Sequence, residues 1–141
     1  MKTFHVNLQV MDLNESVNFY NKLFGFEATT VKDDYAKWAL EDPKVNFSIS
    51  LSKVKKGLAH LGIEAENEKE LMDIYSNFDA TESEVDNEGH TVCCYAQSEK
   101  SWLTDPQGIE WEAFRTYGSS EINKAASTAS SSKCCDDNCC N

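Results

Sequence analysis

A chain of 141 residues has the size of one ordinary domain, with room for one core and not for two independent ones. Its 24 acidic and 13 basic side chains give a formal net charge of -11, which argues against nucleic-acid or anionic-membrane partners, since those surfaces are met by clustered Lys and Arg. No apolar run approaches the roughly 18 residues of a membrane span, and Met1-Lys2-Thr3-Phe4-His5 opens without a signal-peptide hydrophobic stretch, so the expected location is the cytoplasm.

Phe4 to Val10 alternates apolar and polar residues, which predicts a half-buried strand with Phe4, Val6, Leu8 and Val10 on one face and His5, Asn7 and Gln9 on the other. Asp12 or Asn14 can cap a following helix in which Val17, Phe19, Tyr20, Leu23 and Phe24 recur at helical spacing, with Gly25 as its stop. Strands are expected near 26–31, 34–41 and 45–51, the last two separated by a turn at Asp42-Pro43.

The order then repeats. Leu58-Ala59-His60-Leu61-Gly62-Ile63 alternates again, residues 67–78 form a second helix through Leu71, Ile74, Tyr75 and Phe78, and strands are expected at 81–86, 99–104 and 109–115. Two stretches of like order, about 1–56 and 57–118, predict an α+β fold of tandem βαβββ modules. From 119 to 141 the chain turns to Ser, Ala, Asn and Thr with no periodic apolar face and is expected to form a flexible tail.

The first strand of each module carries one histidine on its polar face, His5 and His60. In the last strand, alternation sets Glu110, Glu112 and Phe114 against Trp111 and Ala113. A carboxylate turned inward needs a partner or a metal. A strand histidine is ordinarily a surface or hydrogen-bonded core residue; equivalent positions in two modules shift the reading toward ligands. His5, His60 and Glu112 would leave coordination positions open, the pattern of a non-haem Fe(II) site, with zinc, manganese, cobalt or nickel as alternatives. Glu110 is the rival carboxylate, placed nearer the solvated mouth by the Asp105-Pro106-Gln107-Gly108 turn. His90, after Gly89 in an expected loop, has no counterpart in the first module.

Six cysteines fall in adjacent pairs, Cys93-Cys94, Cys134-Cys135 and Cys139-Cys140. Neighbouring cysteines close poor disulfide rings, and a reducing compartment keeps them as thiols, so they read as donors for something soft. The alternative for Cys93 and Cys94 is small apolar filling.

On these residues the chain resembles the vicinal oxygen chelate superfamily, which includes glyoxalases, extradiol dioxygenases and fosfomycin-resistance proteins. The resemblance covers residues 1 to about 116 and rests on His5, the helix end Phe19-Tyr20-Asn21-Lys22-Leu23-Phe24-Gly25-Phe26, His60, and Asp105-Pro106-Gln107-Gly108 before Glu112. It implies a cupped mixed sheet around a metal held by His5, His60 and Glu112. Within the superfamily the chain is similar to organoarsenical carbon–arsenic lyases, relatives of proteins labelled cadmium-induced. The matching segments are Asp34-Tyr35-Ala36-Lys37-Trp38, Asn46-Phe47, His60-Leu61-Gly62-Ile63, Thr91-Val92-Cys93-Cys94-Tyr95-Ala96, Lys100-Ser101-Trp102 and Trp111-Glu112-Ala113-Phe114. Gln107 and Ser101 depart from the usual residues, away from the ligand positions.

The resemblance implies an Fe(II)-dependent dioxygenase that cleaves trivalent methyl or aromatic arsenicals to arsenite, with Cys93 and Cys94 taking up the arsenic. Adjacent strand residues face opposite ways, so that pair is expected on a loop. Asn7, Tyr35, Phe47, Tyr95 and Trp102 are candidates for the cup lining. Cys134, Cys135, Cys139 and Cys140 are candidate arsenite or soft-metal donors, although their spacing does not match a zinc finger. The rival readings are a protein that sequesters arsenite or cadmium, and a glyoxalase or antibiotic thiol transferase. Both a monomer and a homodimer are compatible with two modules in one chain.

Overall fold

The computed structural model describes residues 1–93 and 96–119, and side chains among these except at 90–93, 96, 118 and 119. The elements run β1 (Thr3–Val10), α1 (Leu13–Phe24), β2 (Thr30–Lys32), β3 (Tyr35–Glu41), β4 (Lys44–Leu51), β5 (Gly57–Glu64), α2 (Glu68–Ala80), β6 (Asp86–Cys93), β7 (Ala96–Thr104) and β8 (Glu110–Ser119). The order β-α-β-β-β occurs twice, as the sequence predicts.

All eight strands share one sheet in the order β2-β3-β4-β1-β5-β8-β7-β6. β1 lies parallel to β4, β5 lies parallel to β8, and the modules join along the antiparallel pair β1–β5. The first strands of both modules are therefore central neighbours, which brings their polar faces side by side.

Helix caps fix where each module turns back. Asp12 accepts from the Glu15 backbone N–H at 2.9 Å, and Gly25 ends α1 in the left-handed conformation at φ 81°, its N–H donating to the Asn21 carbonyl. Asn21 Oδ1 then accepts from Ala28 N and Trp38 Nε1, which ties the helix end to β3. Leu13 of α1 packs with Ala36, Trp38 and Ile49, joined by Leu8, Val10, Val17, Tyr20, Phe24 and Phe47. In the second module Asn67 caps α2, and Leu71, Ile74 and Phe78 pack on Ala65, Leu103 and Ala113.

These helices cover the face carrying Leu8, Val10, Phe47 and Ile49, so that face is core by ordinary apolar burial. The opposite face of β1 is the more deeply buried one: His5 and Asn7 are fully buried and Gln9 nearly so, whereas Phe4 is 41 % exposed. Polarity here does not mark solvent; it marks the concave interior. Asn46, Ser48 and Ser50 of β4 continue that interior, and Asn7 Nδ2 donates to both Ser48 Oγ and Ser50 Oγ.

Three expectations are corrected. The segment 81–86 is the end of α2's turn and only the first residue of a strand: β6 runs from Asp86 to Cys93, so Asn87, Gly89 and His90 lie in a strand and not in a loop. β6 is an edge strand and among the described residues pairs only with β7, which is why Asp86-Asn87-Glu88-Gly89-His90 needs no apolar alternation; a register shift between Asn87 and Gly89 interrupts it further. β7 likewise begins at Ala96, through the polar run Gln97-Ser98-Glu99-Lys100. Phe47 does not line the cup, because the alternation of β4 turns it toward Tyr20, Phe24 and Trp38. Cys94, Tyr95, Cys134, Cys135, Cys139 and Cys140 lie outside the described residues.

Candidate metal centre

A single row crosses the middle of the sheet. Asn46 pairs with His5, His5 with Gly62, Gly62 with Glu112 and Glu112 with Trp102. Partners across a ladder share a face, so His5 and Glu112 both enter the cup, separated by a residue without a side chain. His60, opposite Asn7 on β5, approaches from beside them. The Asp105-Pro106-Gln107-Gly108 turn sets the register of β8: Asp105 Oδ1 accepts from Gln107 N at 2.8 Å and Ile109 N at 3.0 Å, and Gly108 supplies the φ of 86° that closes the turn.

His5, His60 and Glu112 meet with all three side chains buried. His5 Nε2 lies 3.0 Å from His60 Nε2, His60 Nε2 lies 3.2 Å from Glu112 Oε2, and His5 Nε2 lies 3.8 Å from the same oxygen. The circle through three atoms so spaced has a radius of about 2.0 Å, the ordinary length of a bond from a divalent metal to imidazole or carboxylate. One ion therefore fits all three donors at once. Among the described residues this is the only group of three or more histidine, cysteine or carboxylate side chains spaced to hold an ion.

The histidine chemistry agrees. The His5 Nδ1–H donates to the Asn46 carbonyl at 3.0 Å, which leaves Nε2 as the lone-pair nitrogen directed into the triad. Burial, then the neighbouring His60, pushes the His5 imidazole down to about 4, so it is neutral at pH 7, as a ligand must be. Phe114 meets the His5 ring edge to face at 5.2 Å and Trp102 meets His60 at 5.0 Å, two aromatic walls that hold the ring planes.

Glu112 is fully buried, and burial by itself would raise its carboxyl. The adjacent Lys100 ammonium first, then the neighbouring His60, outweigh that and hold it well below the usual carboxylate range. Lys100 Nζ lies 2.8 Å from Glu112 Oε1 and 5.7 Å from the Phe114 ring centre, with the side chain 1 % exposed. In the sequence Lys100 enters only as part of the segment Lys100-Ser101-Trp102 and without a role, since a Lys in a polar stretch is ordinarily on the surface.

Glu110 is half-buried at the start of β8, opposite Thr104, and is not in the triad. His90 pairs through its backbone with Glu99 on the sheet margin. Tyr35 pairs with Ser50 and shares its interior face, and Trp102 stands against His60, so these two with Asn7 line the cup as expected. Cys93 is the last residue of β6, and β7 begins at Ala96. An open groove of about 510 Å³ borders Ser83, Glu84, Val85, Asp86, Asn87 and Thr104, and none of the triad residues lines it.

A doubled βαβββ sheet that gathers two imidazoles and a carboxylate at the seam of its halves defines a class. The chain belongs to the glyoxalase/bleomycin resistance protein/dioxygenase superfamily, whose description matches residues 2–113. Its relatives narrow the likeness. It is 39% identical to the probable trivalent organoarsenical cleaving enzyme of Bacillus subtilis (strain 168), over 96% of this chain and 91% of that protein. It is 40% identical to the trivalent organoarsenical cleaving enzyme of Bacillus sp. (strain MD1), over 87% of this chain and 78% of that one. The cadmium-induced protein CadI of Mycobacterium tuberculosis (strain ATCC 25618 / H37Rv) is 29% identical over 96% and 94% of the two chains. Among solved structures, homoprotocatechuate 2,3-dioxygenase from Arthrobacter globiformis superposes with a TM-score of 0.59 at 13% identity, over 84% of this chain and 36% of that one. A methylmalonyl-CoA epimerase from Streptomyces coelicolor gives 0.57 at 14%, over 84% and 96%. At such identities the structures speak for the fold alone. Among the described residues no helix is long and apolar enough to cross a membrane.

Proposed function

We propose that this protein cleaves the carbon–arsenic bond of trivalent organoarsenicals, methylarsonous acid and aromatic arsenicals among them, releasing arsenite. His5, His60 and Glu112 hold an Fe(II) ion, and dioxygen is the co-substrate. The observation that carries this reading is the buried triad whose donor atoms lie within 4.8 Å of one another, in a chain that is 39% identical to a protein named for this cleavage. Two imidazoles and one carboxylate leave positions free, which is what joint binding of substrate and dioxygen at Fe(II) requires.

The remaining chemistry belongs to the chain. Trivalent arsenic is thiophilic, so the thiols of Cys93 and Cys94 displace its two hydroxyl groups and retain the carbon substituent. Buried Trp102 and Phe114 exclude water beside the imidazoles, which strengthens every charge interaction there. One dioxygen and one methylarsonous acid balance, atom for atom, to arsenous acid and formaldehyde.

Protein purified without oxygen, loaded with Fe(II) and given methylarsonous acid tests the proposal. Oxygen-dependent release of inorganic arsenite is expected. Stoichiometric retention of the arsenical with no bond cleavage would replace this reading by sequestration.

A further inference from the structure

The two oxygens of Glu112 have different neighbours. Oε2 faces His60 Nε2 at 3.2 Å and His5 Nε2 at 3.8 Å, whereas Oε1 is met by Lys100 Nζ at 2.8 Å. Lys100 stands on β7 opposite Phe114, two residues before Trp102, so the strand that presents an aromatic wall to His60 also delivers this ammonium. A buried ammonium is costly unless it is paired and hydrogen-bonded, and Glu112 provides the pairing. The same contact constrains the carboxylate. An unrestrained carboxylate can turn to give a metal both oxygens and so occupy one coordination position more.

We propose that Lys100 is a positioning residue of the metal centre: by holding Oε1 it limits Glu112 to one donor oxygen, Oε2. The inference rests on the reading of His5, His60 and Glu112 as ligands. It assigns the openness of the site to a residue outside the three donors. Three single donors leave the positions that substrate and dioxygen need, and the ammonium offsets the carboxylate charge in a closed interior. Charge and reach are both needed, since a neutral side chain at 100 would release the second oxygen.

The probe is Co(II), whose visible bands report coordination number, titrated without oxygen into metal-free protein. Lys100→Gln keeps a donor but removes the charge and shortens the side chain by one atom. It is expected to bind Co(II) about 10- to 100-fold more weakly, with the weaker visible absorption of a higher-coordinate ion. Lys100→Arg, which keeps charge and donors, is expected to restore the wild-type spectrum. Infrared difference spectra of wild-type protein with and without Zn(II) give a measure that needs no variant. One-oxygen binding separates the two carboxylate stretching bands widely, and two-oxygen binding brings them together. A narrow separation in wild-type protein, or wild-type affinity and spectrum in folded Lys100→Gln, would overturn the proposal. If wild-type protein binds no Co(II), the ligand assignment falls with it; if it binds and Lys100→Gln behaves identically, only the role of Lys100 falls. Should Lys100→Gln not fold, the infrared result decides.

Discussion

Gly62 stands between His5 and Glu112 in the central row of the sheet, and a methyl group added to it would lie 2.7 Å from the Glu112 backbone oxygen and 3.2 Å from the Glu112 Cβ. Neither neighbour is the loose end of a flexible side chain. Gly62→Ala must therefore move β8 and swing Glu112 away from the imidazoles. We expect about 1–3 kcal/mol of lost stability from overpacking and at least about tenfold weaker Co(II) binding. Thermal unfolding and Co(II) titration of the one variant check both, and unchanged values in both would mean that the row is not tight.

Removing the carboxylate separates the ligand from its ion pair. Glu112→Gln keeps size and a hydrogen-bond acceptor for Lys100, so the fold should persist while arsenite release is abolished and arsenical uptake is retained. Either variant leaves the buried Lys100 ammonium without its counter-charge, which is expected to cost about 3–5 kcal/mol relative to wild type. Denaturant unfolding should place Glu112→Ala, which also lacks the acceptor, below Glu112→Gln. Wild-type stability in both would show that the Lys100–Glu112 contact contributes little.

Thiols and metal donors should fail independently. Cys93→Ser combined with Cys94→Ser is expected to abolish retention of methylarsonous acid, followed by arsenic content after gel filtration, and to leave Co(II) affinity at its wild-type value. Full arsenite release by this variant would sink the assignment of the pair.

Acid should destabilise the metal-free protein through the site itself. His5 is held neutral down to about 4 in the folded chain, against its ordinary 6.5. Between those values the unfolded chain binds a proton that the folded chain refuses, so stability falls as pH is lowered. The loss begins near pH 6.5 and reaches on the order of 3 kcal/mol by about pH 4. Glu112 acts with the same sign at lower pH: its folded carboxyl is depressed, so its contribution is present above the ordinary 4.5 and is lost as pH falls. Urea unfolding of metal-free protein from about pH 7 to pH 5 measures the first part of the slope, and a flat profile would contradict it.

The sequence made His5 and His60 visible because duplication placed them at equivalent points, a signal independent of local propensity. Glu112 followed from alternation in a strong strand. Asp12 and Gly25 could be read because caps are local chemistry. The parts that escaped depend on contacts distant in sequence. Lys100 and Gly62 matter only through Glu112, and nothing within a few residues of either reveals that neighbour. β6 was set too early because an edge strand with a bulge carries no apolar rhythm. Phe47 was turned the wrong way because aromatic character does not distinguish the cup from the helix-covered core. The polar face of β1 misleads for a related reason: Asn7 meets Ser48 and Ser50 inside the protein, not water outside it.

The seam between the modules gives the two halves of the chain a shared dependency. β1 contributes His5, β5 contributes His60, and the chain passes from one half to the other only through residues 52–56, between Leu51 and Gly57. A bound ion would join the halves a second time, through side chains. Cleaved within 52–56, the protein would become two pieces, one carrying His5 and the other His60 with Glu112, neither holding all three donors, and their reassociation would report the concentration of the ion. What serves as a centre for chemistry in the intact chain would in the divided one serve as a clasp.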